Sequence, residues 1–264
     1  MHSGSSWQLG PQVSRLRPTP YAARVSADPF AAVAALEGVP SAVRAARDAV
    51  DAVLRDRGHR PVGPEVTSES LLRGAIASAV LEGSGSTAAD VRAGEGDPIA
   101  RAAVRLSTGL LGVLPAWQSA PLQALARLHA IVAAGAVDDA ELGRPVSSAG
   151  ADRLATLARS LTMPTEAPGM VVAAVVHGEV VAADAFASHN GLVARAAERL
   201  TLVGRGVDPA SVTIPEAGHL ASGAVYRSAL RGYRDGGRNG LHSWLLEAIR
   251  AYATGAEAAT DLVR

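Results

Sequence analysis

The chain has 264 residues, of which 48% are hydrophobic and 19% are charged. This length and apolar content suffice for one domain with a substantial hydrophobic core, with or without an extension. The 25 basic and 25 acidic residues balance, and no arginine-rich block with interleaved aromatic residues occurs, so nucleic acid is not an expected partner. Lysine is absent, so all basic residues are arginine. Together with the abundant alanine, this composition indicates an actinobacterial-like, GC-rich genome.

Cysteine is also absent, which excludes disulfides, thiolate nucleophiles and cysteine metal sites. No apolar run is expected to be long enough to cross a bilayer. The opening MHSGSSWQLG lacks the basic and then apolar order of a signal peptide. We therefore expect a cytoplasmic protein that does not bind membranes.

Apolar residues recur with helical spacing along almost the whole chain. Residues 28–58 predict two helices with a break at Pro40 and an N-cap at Ser41. Residues 67–83 predict an amphipathic helix that begins near Ser68. Further helices are predicted over residues 97–114, 120–135, 150–163, 167–184, 190–204, 218–237 and 241–259.

Strand alternation is scarce, so the predicted fold class is all-α, a helical bundle. We predict an N-terminal helical extension over residues 1–62 and a main domain over residues 63–264. Residues 84–98 and 135–148 are connectors rich in Gly, Asp and Ser, and the second is the better candidate for a functional loop.

The segment DAFASHNGLVAR, Asp184–Arg195, is the strongest local signal for a binding site. An Asn-Gly pair at the start of a helix can direct free backbone amides and the helix dipole at an anion. Taken alone, the segment fits an ordinary capped helix as well.

Four residues of this segment, Phe186, Asn190, Gly191 and Arg195, match the signature His-Pro-Phe-x-(Asp/Glu)-Gly-Asn-Gly-Arg-x-x-Arg. The order of the surrounding elements over about residues 65–255 also resembles the Fic (Fido-fold) family, whose members mostly transfer AMP from ATP to protein hydroxyls. The resemblance implies a Fic/Fido-like domain with its motif loop at residues 184–195. It also implies ATP or another nucleotide as ligand, a protein target, and self-association into a homodimer.

The segment SAVLEG, Ser78–Gly83, resembles the inhibitory helix of that family, Ser/Thr-x-x-x-Glu-Gly/Asn, placed here at about residues 68–83. Ser78 and Glu82 are four residues apart and share a helix face. The resemblance implies that Glu82 pairs with Arg195 and holds the site shut. A purely structural ion pair is the alternative interpretation. The segment 144–150, RPVSSAG, lies where the family places its flap, which predicts a short β-hairpin there.

Three substitutions alter the chemistry that the resemblance implies. Asp184 replaces the catalytic histidine, and a carboxylate of ordinary pKa is a weaker base for a hydroxyl. Ser188 replaces the acidic residue that holds Mg²⁺, which argues against a Mg²⁺ site. Leu192 replaces the arginine that meets the terminal phosphate, so a triphosphate loses its clamp. The motif is therefore degenerate, and we predict a pseudoenzyme without a standard Mg²⁺-ATP AMP-transfer activity.

Two histidines near the motif leave alternatives open. His189 is either a relocated base or phosphate ligand, or an exposed loop histidine. His177 lies two helical turns before Asp184 and is interpreted as a core residue, with a side chain directed at the loop as the alternative. The histidines show no H-x-x-x-H pair, so no zinc site is predicted.

Two functional hypotheses follow from these residues. The first is a protein that binds a nucleotide, another anion or a protein partner around Ser188, Asn190, Gly191 and Arg195. The second is an active transferase of altered chemistry with Asp184 or His189 as its base. A remote third is an NAD(P)-dependent oxidoreductase, since residues 83–88 match G-x-G-x-x-A. That pattern needs a preceding strand, whereas the preceding residues have helical spacing.

Overall fold

The computed structural model describes residues 28–56 and 63–263, which form thirteen α-helices and no named strand. The first seven are α1 (Ala31–Ala34), α2 (Val39–Asp56), α3 (Pro64–Leu81), α4 (Ala88–Ala93), α5 (Pro98–Leu110), α6 (Leu114–Ser119) and α7 (Pro121–Ala133). The others are α8 (Ser148–Leu161), α9 (Gly169–Ala183), α10 (Asn190–Gly204), α11 (Pro215–Ser222), α12 (Ala224–Asp235) and α13 (Arg238–Glu257). The predicted all-α fold class is confirmed.

Helix α9 lies at the centre of the bundle because it is apolar on all sides. Ten of its fifteen residues are buried. Val172 and Val176 belong to an apolar cluster shared with α3, α5 and α7, whereas Val171 and Ala174 belong to a second cluster shared with α2, α12 and α13. Helix α10 packs beside α9, so the loop that joins these two helices is held between two closely packed core helices.

The N-terminal helix α2 packs against α13 through the buried side chains Val39, Ala46 and Val50. The described part of the predicted extension therefore shares a hydrophobic cluster with the main domain. Residues 1–27 and 57–62 lie outside the described residues, and the domain boundary at residue 62 stays a prediction.

Two helices with a proline in their first turn were predicted to start too late along the chain. Helix α2 begins at Val39, so Ser41 is not its N-cap and Pro40 lies in its first turn. Helix α3 begins at Pro64 rather than near Ser68. Both errors have one cause, because proline lacks only an N–H that the first helical turn leaves unpaired anyway.

Three connections also differ from the prediction. Residues 218–237 do not form one helix, since Gly223 separates α11 from α12 with a φ of 47° and a ψ of −98°. The connector at residues 84–98 contains α4, which Thr87 caps. The β-hairpin predicted at residues 144–150 is wrong, since the described residues there form a loop that leads into α8. In that loop the backbone amide of Val146 donates to the carbonyl of Ala185 at 2.7 Å.

One stretch of the described residues, Pro98–Ser119, is long and apolar enough to cross a membrane by length and composition alone. The expectation that no such stretch exists is therefore corrected. Its buried residues Ala102, Leu106 and Trp117 pack in the first apolar cluster, as in the core helices of many soluble proteins. The stretch is thus weak evidence for a membrane span.

Candidate functional site

The loop between α9 and α10 has an unusual backbone at both ends. Asp184 follows α9 with a φ of 43°, and His189 precedes α10 with a φ of 57°. Left-handed backbone is uncommon for residues other than glycine and costs free energy that neighbouring contacts must offset. The loop conformation is therefore held by its surroundings.

The side-chain amide of Asn190 supplies much of that support. Its Oδ1 accepts a hydrogen bond from the amide of Phe186 at 3.0 Å, and its Nδ2 donates to the carbonyl of Phe186 at 2.8 Å. The same Nδ2 donates to Oδ1 of Asp184 at 3.1 Å. Asn190 thus ties the start of α10 to both the first and the third residue of the loop.

The ring of Phe186 anchors the loop in the core. It stacks on the ring of His129 with a centroid distance of 4.4 Å and an interplanar angle of 7°. Nδ1 of His129 accepts a hydrogen bond from the amide of Gly143 at 2.9 Å. His129 therefore joins the motif loop to the long connection that precedes α8.

Protonation of His129 is expected to destabilise the protein as the pH falls below about 6.5. Burial, together with the nearby His189, lowers the pKa of His129 from its usual range. The unfolded chain then binds a proton at a higher pH than the folded one, so the free energy of unfolding decreases as the pH falls from the unfolded pKa towards the folded pKa. Urea unfolding across that range measures this slope. His129→Phe retains the stacking on Phe186 and should show a smaller slope; an unchanged slope would contradict the assignment.

Arg195 is the buried cation of the site, with a side chain that is 2% exposed. Its Nε donates to Oγ of Ser78 at 2.6 Å, its Nη1 to the hydroxyl of Tyr226 at 2.9 Å, and its Nη2 to Oε1 of Glu82 at 2.6 Å. Nη2 also donates to the carbonyl of Ser78 at 3.3 Å. Burial lowers the pKa of Arg195, but Tyr226 and Glu82 more than compensate and hold that pKa above its usual range. The guanidinium is therefore charged.

Glu82 brings a carboxylate to the first turn of α10. It caps the C-terminus of α3, and the following Gly83 has a left-handed φ of 94°, which turns the chain away. Its carboxylate lies so close to Gly191 that a Cβ at this position would overlap with it. A negative charge at a helix N-terminus is favourable because free N–H groups and the helix dipole point towards it. The structure thus brings together the predicted residues Ser78, Glu82 and Arg195.

Glu82 and Arg195 border a cleft of about 340 Å³. It is lined by Leu81, Glu82, Val181, Asp184, His189, Asn190, Gly191, Arg195, Tyr226, Leu230 and Arg234. The side chain of Asp184 is 63% exposed, and its Oδ2 lies 3.7 Å from Nη2 of Arg234. His189 is half-buried, and burial lowers its pKa from the usual range although Glu82 raises it. Asp184 and His189 therefore face one common cleft.

Two of the substituted motif positions do not contribute a ligand group to this cleft. Oγ of Ser188 lies 2.7 Å from Nδ1 of His189 and is thus engaged within the loop. Leu192 is buried in the apolar cluster that α10 shares with α3 and α5. The cleft has neither a carboxylate at position 188 nor a guanidinium at position 192.

Two cleft residues were missed in the sequence. Tyr226 and Arg234 lie on α12, more than thirty positions after the motif, and only the packing of α12 beside α9 brings them to the loop. Tyrosine and arginine on an amphipathic helix have no distinctive local pattern. No signal in the sequence could have singled them out.

A second polar cluster lies in the core next to Tyr226. His177 on α9, Glu198 on α10 and His219 on α11 are fully buried, and their ligand atoms lie within 4.8 Å of one another. Nε2 of His219 lies 3.0 Å from Oε2 of Glu198, and Nδ1 of His177 lies 3.0 Å from the same oxygen. The hydroxyl of Tyr252 donates to Oε1 at 2.8 Å. His177 is thus a core residue that does not line the cleft.

This cluster is the one set of described residues that could gather round a metal ion. Its histidines lie on different helices, so no H-x-x-x-H pattern in the sequence indicates them. The carboxylate of Glu198 has hydrogen-bond partners in the hydroxyl of Tyr252 and in Nε2 of His219. Nδ1 of His177 and Nδ1 of His219 are buried without a hydrogen-bond partner among the described residues.

The described helices and the loop define an all-helical fold with a cleft at a helix N-terminus. The structure of a Fic family protein from Desulfovibrio desulfuricans superposes with a TM-score of 0.67 over 83% of this chain and 74% of its own, at 17% sequence identity. Fic-1 from C. elegans superposes with a TM-score of 0.62 over 85% of this chain and 72% of its own, also at 17% identity. No protein-family model and no curated protein sequence matches the chain. The chain therefore has the Fic (Fido) fold.

Proposed function

We propose that this Fic-fold protein binds an anionic group, such as the phosphates of a nucleotide, in the cleft at the start of α10. The observation that carries the proposal is the position of Glu82. Its carboxylate lies between Gly191 and Nη2 of Arg195, where a cation and a helix N-terminus favour a negative charge. The protein's own carboxylate takes the place that the anion would occupy.

Arg195 retains capacity for a ligand even when Glu82 is bound. A guanidinium has five N–H donors, and four of them have acceptors among the described residues. The remaining N–H is on Nη1, and Arg195 lines the cleft. An entering anion that displaces Glu82 would gain a second N–H from Nη2.

Three positions argue against a standard Mg²⁺-ATP AMP transferase. Asp184 offers an exposed carboxylate instead of an imidazole, Ser188 is engaged with His189, and Leu192 is buried in the core. Phosphoryl-type transfer depends on positioned cations that neutralise developing charge. We therefore propose a pseudoenzyme of the AMP-transferase type that acts by binding a nucleotide or a protein in the cytoplasm.

A second candidate function is an active transferase of altered chemistry. It is favoured by one observation, that Asp184 and His189 line the same cleft. The lowered pKa of His189 keeps its imidazole neutral at pH 7, which is the form that accepts a proton. In this case one of these two side chains would take the proton of a target hydroxyl.

Calorimetric titration of ATP with and without Mg²⁺ into the wild-type protein and Glu82→Gly tests the proposal. We expect the variant to bind about tenfold more tightly or better, because one charge-assisted hydrogen bond to Arg195 no longer has to be broken. Mg²⁺ should change the affinity little, since position 188 offers no carboxylate. Glu95→Gly is the matched control, because Glu95 is exposed and lies outside the cleft.

The absence of heat with ATP and with pyrophosphate in both proteins would overturn anion binding. Equal affinities of the wild type and Glu82→Gly would overturn the role of Glu82. Release of pyrophosphate by Glu82→Gly in the presence of ATP and a target protein, lost again in Asp184→Ala or His189→Ala, would establish the second function instead.

A further inference from the structure

We propose that Tyr226, His177 and Glu198 form a buried chain of polar contacts that positions Arg195 for the group bound in the cleft. They are positioning residues, since Tyr226 alone reaches the cleft and the other two act through it. The inference deepens the proposed function and rests on it for the part that concerns a ligand.

The chain starts at Glu198, which can only accept hydrogen bonds while it is ionised. Burial raises the pKa of Glu198, but His219 and His177 outweigh this and hold that pKa below its usual range. Tyr252 donates to Oε1, and Nε2 of His219 reaches both carboxylate oxygens at 3.2 and 3.0 Å. The carboxylate therefore carries its charge inside the core.

His177 connects Glu198 to Tyr226 through its two ring nitrogens. Its Nδ1 lies 3.0 Å from Oε2 of Glu198, without the geometry of a regular hydrogen bond. Two lone pairs would repel each other at this distance, so the proton of the neutral ring belongs on Nδ1. Burial lowers the pKa of His177, which keeps the ring neutral. Its other nitrogen, Nε2, lies 3.1 Å from the hydroxyl of Tyr226 and must then be the acceptor. A carboxylate fixes the tautomer of a catalytic histidine in the same way.

Tyr226 ends the chain at the cleft. Because its O–H is directed at Nε2 of His177, its oxygen presents lone pairs to Nη1 of Arg195, which donates to it at 2.9 Å. Tyr226 is 4% exposed and His177 and Glu198 are fully buried, so water does not compete for these bonds. The direction of the two hydrogen bonds at Tyr226 thus follows from the contact of His177 with Glu198.

The chain also constrains which N–H of Arg195 remains free. Ser78 and Glu82 bind the Nε and Nη2 side of the guanidinium, and both belong to the α3 end of the site. Tyr226 binds Nη1 from the opposite, α12 side. When an anion displaces Glu82, one bond to Tyr226 and two bonds to Ser78 remain to keep the guanidinium plane in place.

The test compares Tyr226→Phe with the matched control Tyr252→Phe. Both remove one hydroxyl from a buried ring, and both hydroxyls belong to the hydrogen-bonded surroundings of Glu198, but only Tyr226 lies between Glu198 and Arg195. In the Glu82→Gly background we expect Tyr226→Phe to weaken pyrophosphate binding about tenfold, the effect of one charge-assisted hydrogen bond. Tyr252→Phe should leave that affinity unchanged. Equal losses in the two variants would overturn the chain.

A readout that needs no ligand separates this inference from the proposed function. Nitrogen-15 NMR of the histidine rings should show His177 as the neutral tautomer with its proton on Nδ1. In Tyr226→Phe the nitrogen-15 chemical shift of Nε2 of His177 should change to the value of a ring nitrogen that accepts no hydrogen bond. In Tyr252→Phe this chemical shift should stay the same. A proton on Nε2 of His177 in the wild type would overturn the inference. If no variant binds pyrophosphate, the proposed function fails, and the NMR result alone decides whether the chain exists.

Discussion

Replacing Arg199 with alanine is expected to lower the free energy of unfolding by about 3–5 kcal/mol. The side chain of Arg199 is 2% exposed and binds Glu216 through two parallel bonds, from Nε at 2.9 Å and from Nη2 at 2.6 Å. Its Nη1 also donates to Oγ of Ser70 and of Ser211. The variant leaves the carboxylate of Glu216 buried without its cation between α10, α11 and α3. Urea unfolding followed by circular dichroism measures the loss.

The exposed pair of Arg47 and Asp51 on α2 is the control for this prediction. Its atoms lie 3.0 Å apart, but the side chain of Arg47 is 46% exposed. Arg47→Ala should therefore change the free energy of unfolding by less than about 1 kcal/mol. A double variant that also removes the carboxylate of Glu216 should lose less than the sum of the two single variants. If Arg199→Ala costs no more than Arg47→Ala, the buried pair is not what joins these helices.

Gly218→Ala is expected to destabilise the protein by about 3 kcal/mol, at the upper end of overpacking effects. Helix α11 crosses α13 so closely at Gly218 that a Cβ there would overlap with the backbone carbonyl of Ala251. A backbone carbonyl cannot swing away as a side chain can, so one of the two helices must shift. The shift also disturbs His219, the next residue, and its contact with Glu198. Denaturant unfolding gives the size of the loss.

Gly85→Ala provides the comparison for Gly218→Ala. No heavy atom lies within 4 Å of a Cβ built at Gly85, and its backbone is not in the left-handed region. Alanine there should be neutral or slightly stabilising, because it reduces the freedom of the unfolded chain. Similar losses at Gly218 and Gly85 would show that α11 and α13 can move apart without cost.

Most of the helical fold could be predicted because it follows from local periodicity. Helix α9 is apolar on every side. Helix α3 is helical as predicted, but it buries small residues such as Ala75, Ala77 and Ala79 instead of a regular amphipathic stripe. The start of α3 and the division of α11 from α12 could not be placed in the same way. Pro64 fits the first turn of a helix as well as the loop before it, and Gly223 marks a break only because its backbone adopts a positive φ in the folded chain.

The candidate site, too, could be predicted only in part. The pairing of Glu82 with Arg195 was expected from two short sequence patterns, and the structure places these residues together. The hydrogen bonds from Arg195 to Ser78 were not expected. The contribution of Tyr226 and the burial of Glu198 depend on how α12 and α11 pack against α9 and α10. The sequence does not show whether the carboxylate of a glutamate is buried or solvated. The tertiary contacts of the folded chain decide this.

The left-handed residues at the two ends of the motif loop have a consequence for the binding of the proposed anion. Asp184 and His189 already hold their uncommon backbone angles, and Asn190 already clamps the turn between them. A loop that is ordered in advance loses little conformational entropy when a ligand arrives. For the proposed anion, the side chain to be displaced is that of Glu82, whose carboxylate accepts a hydrogen bond from Arg195.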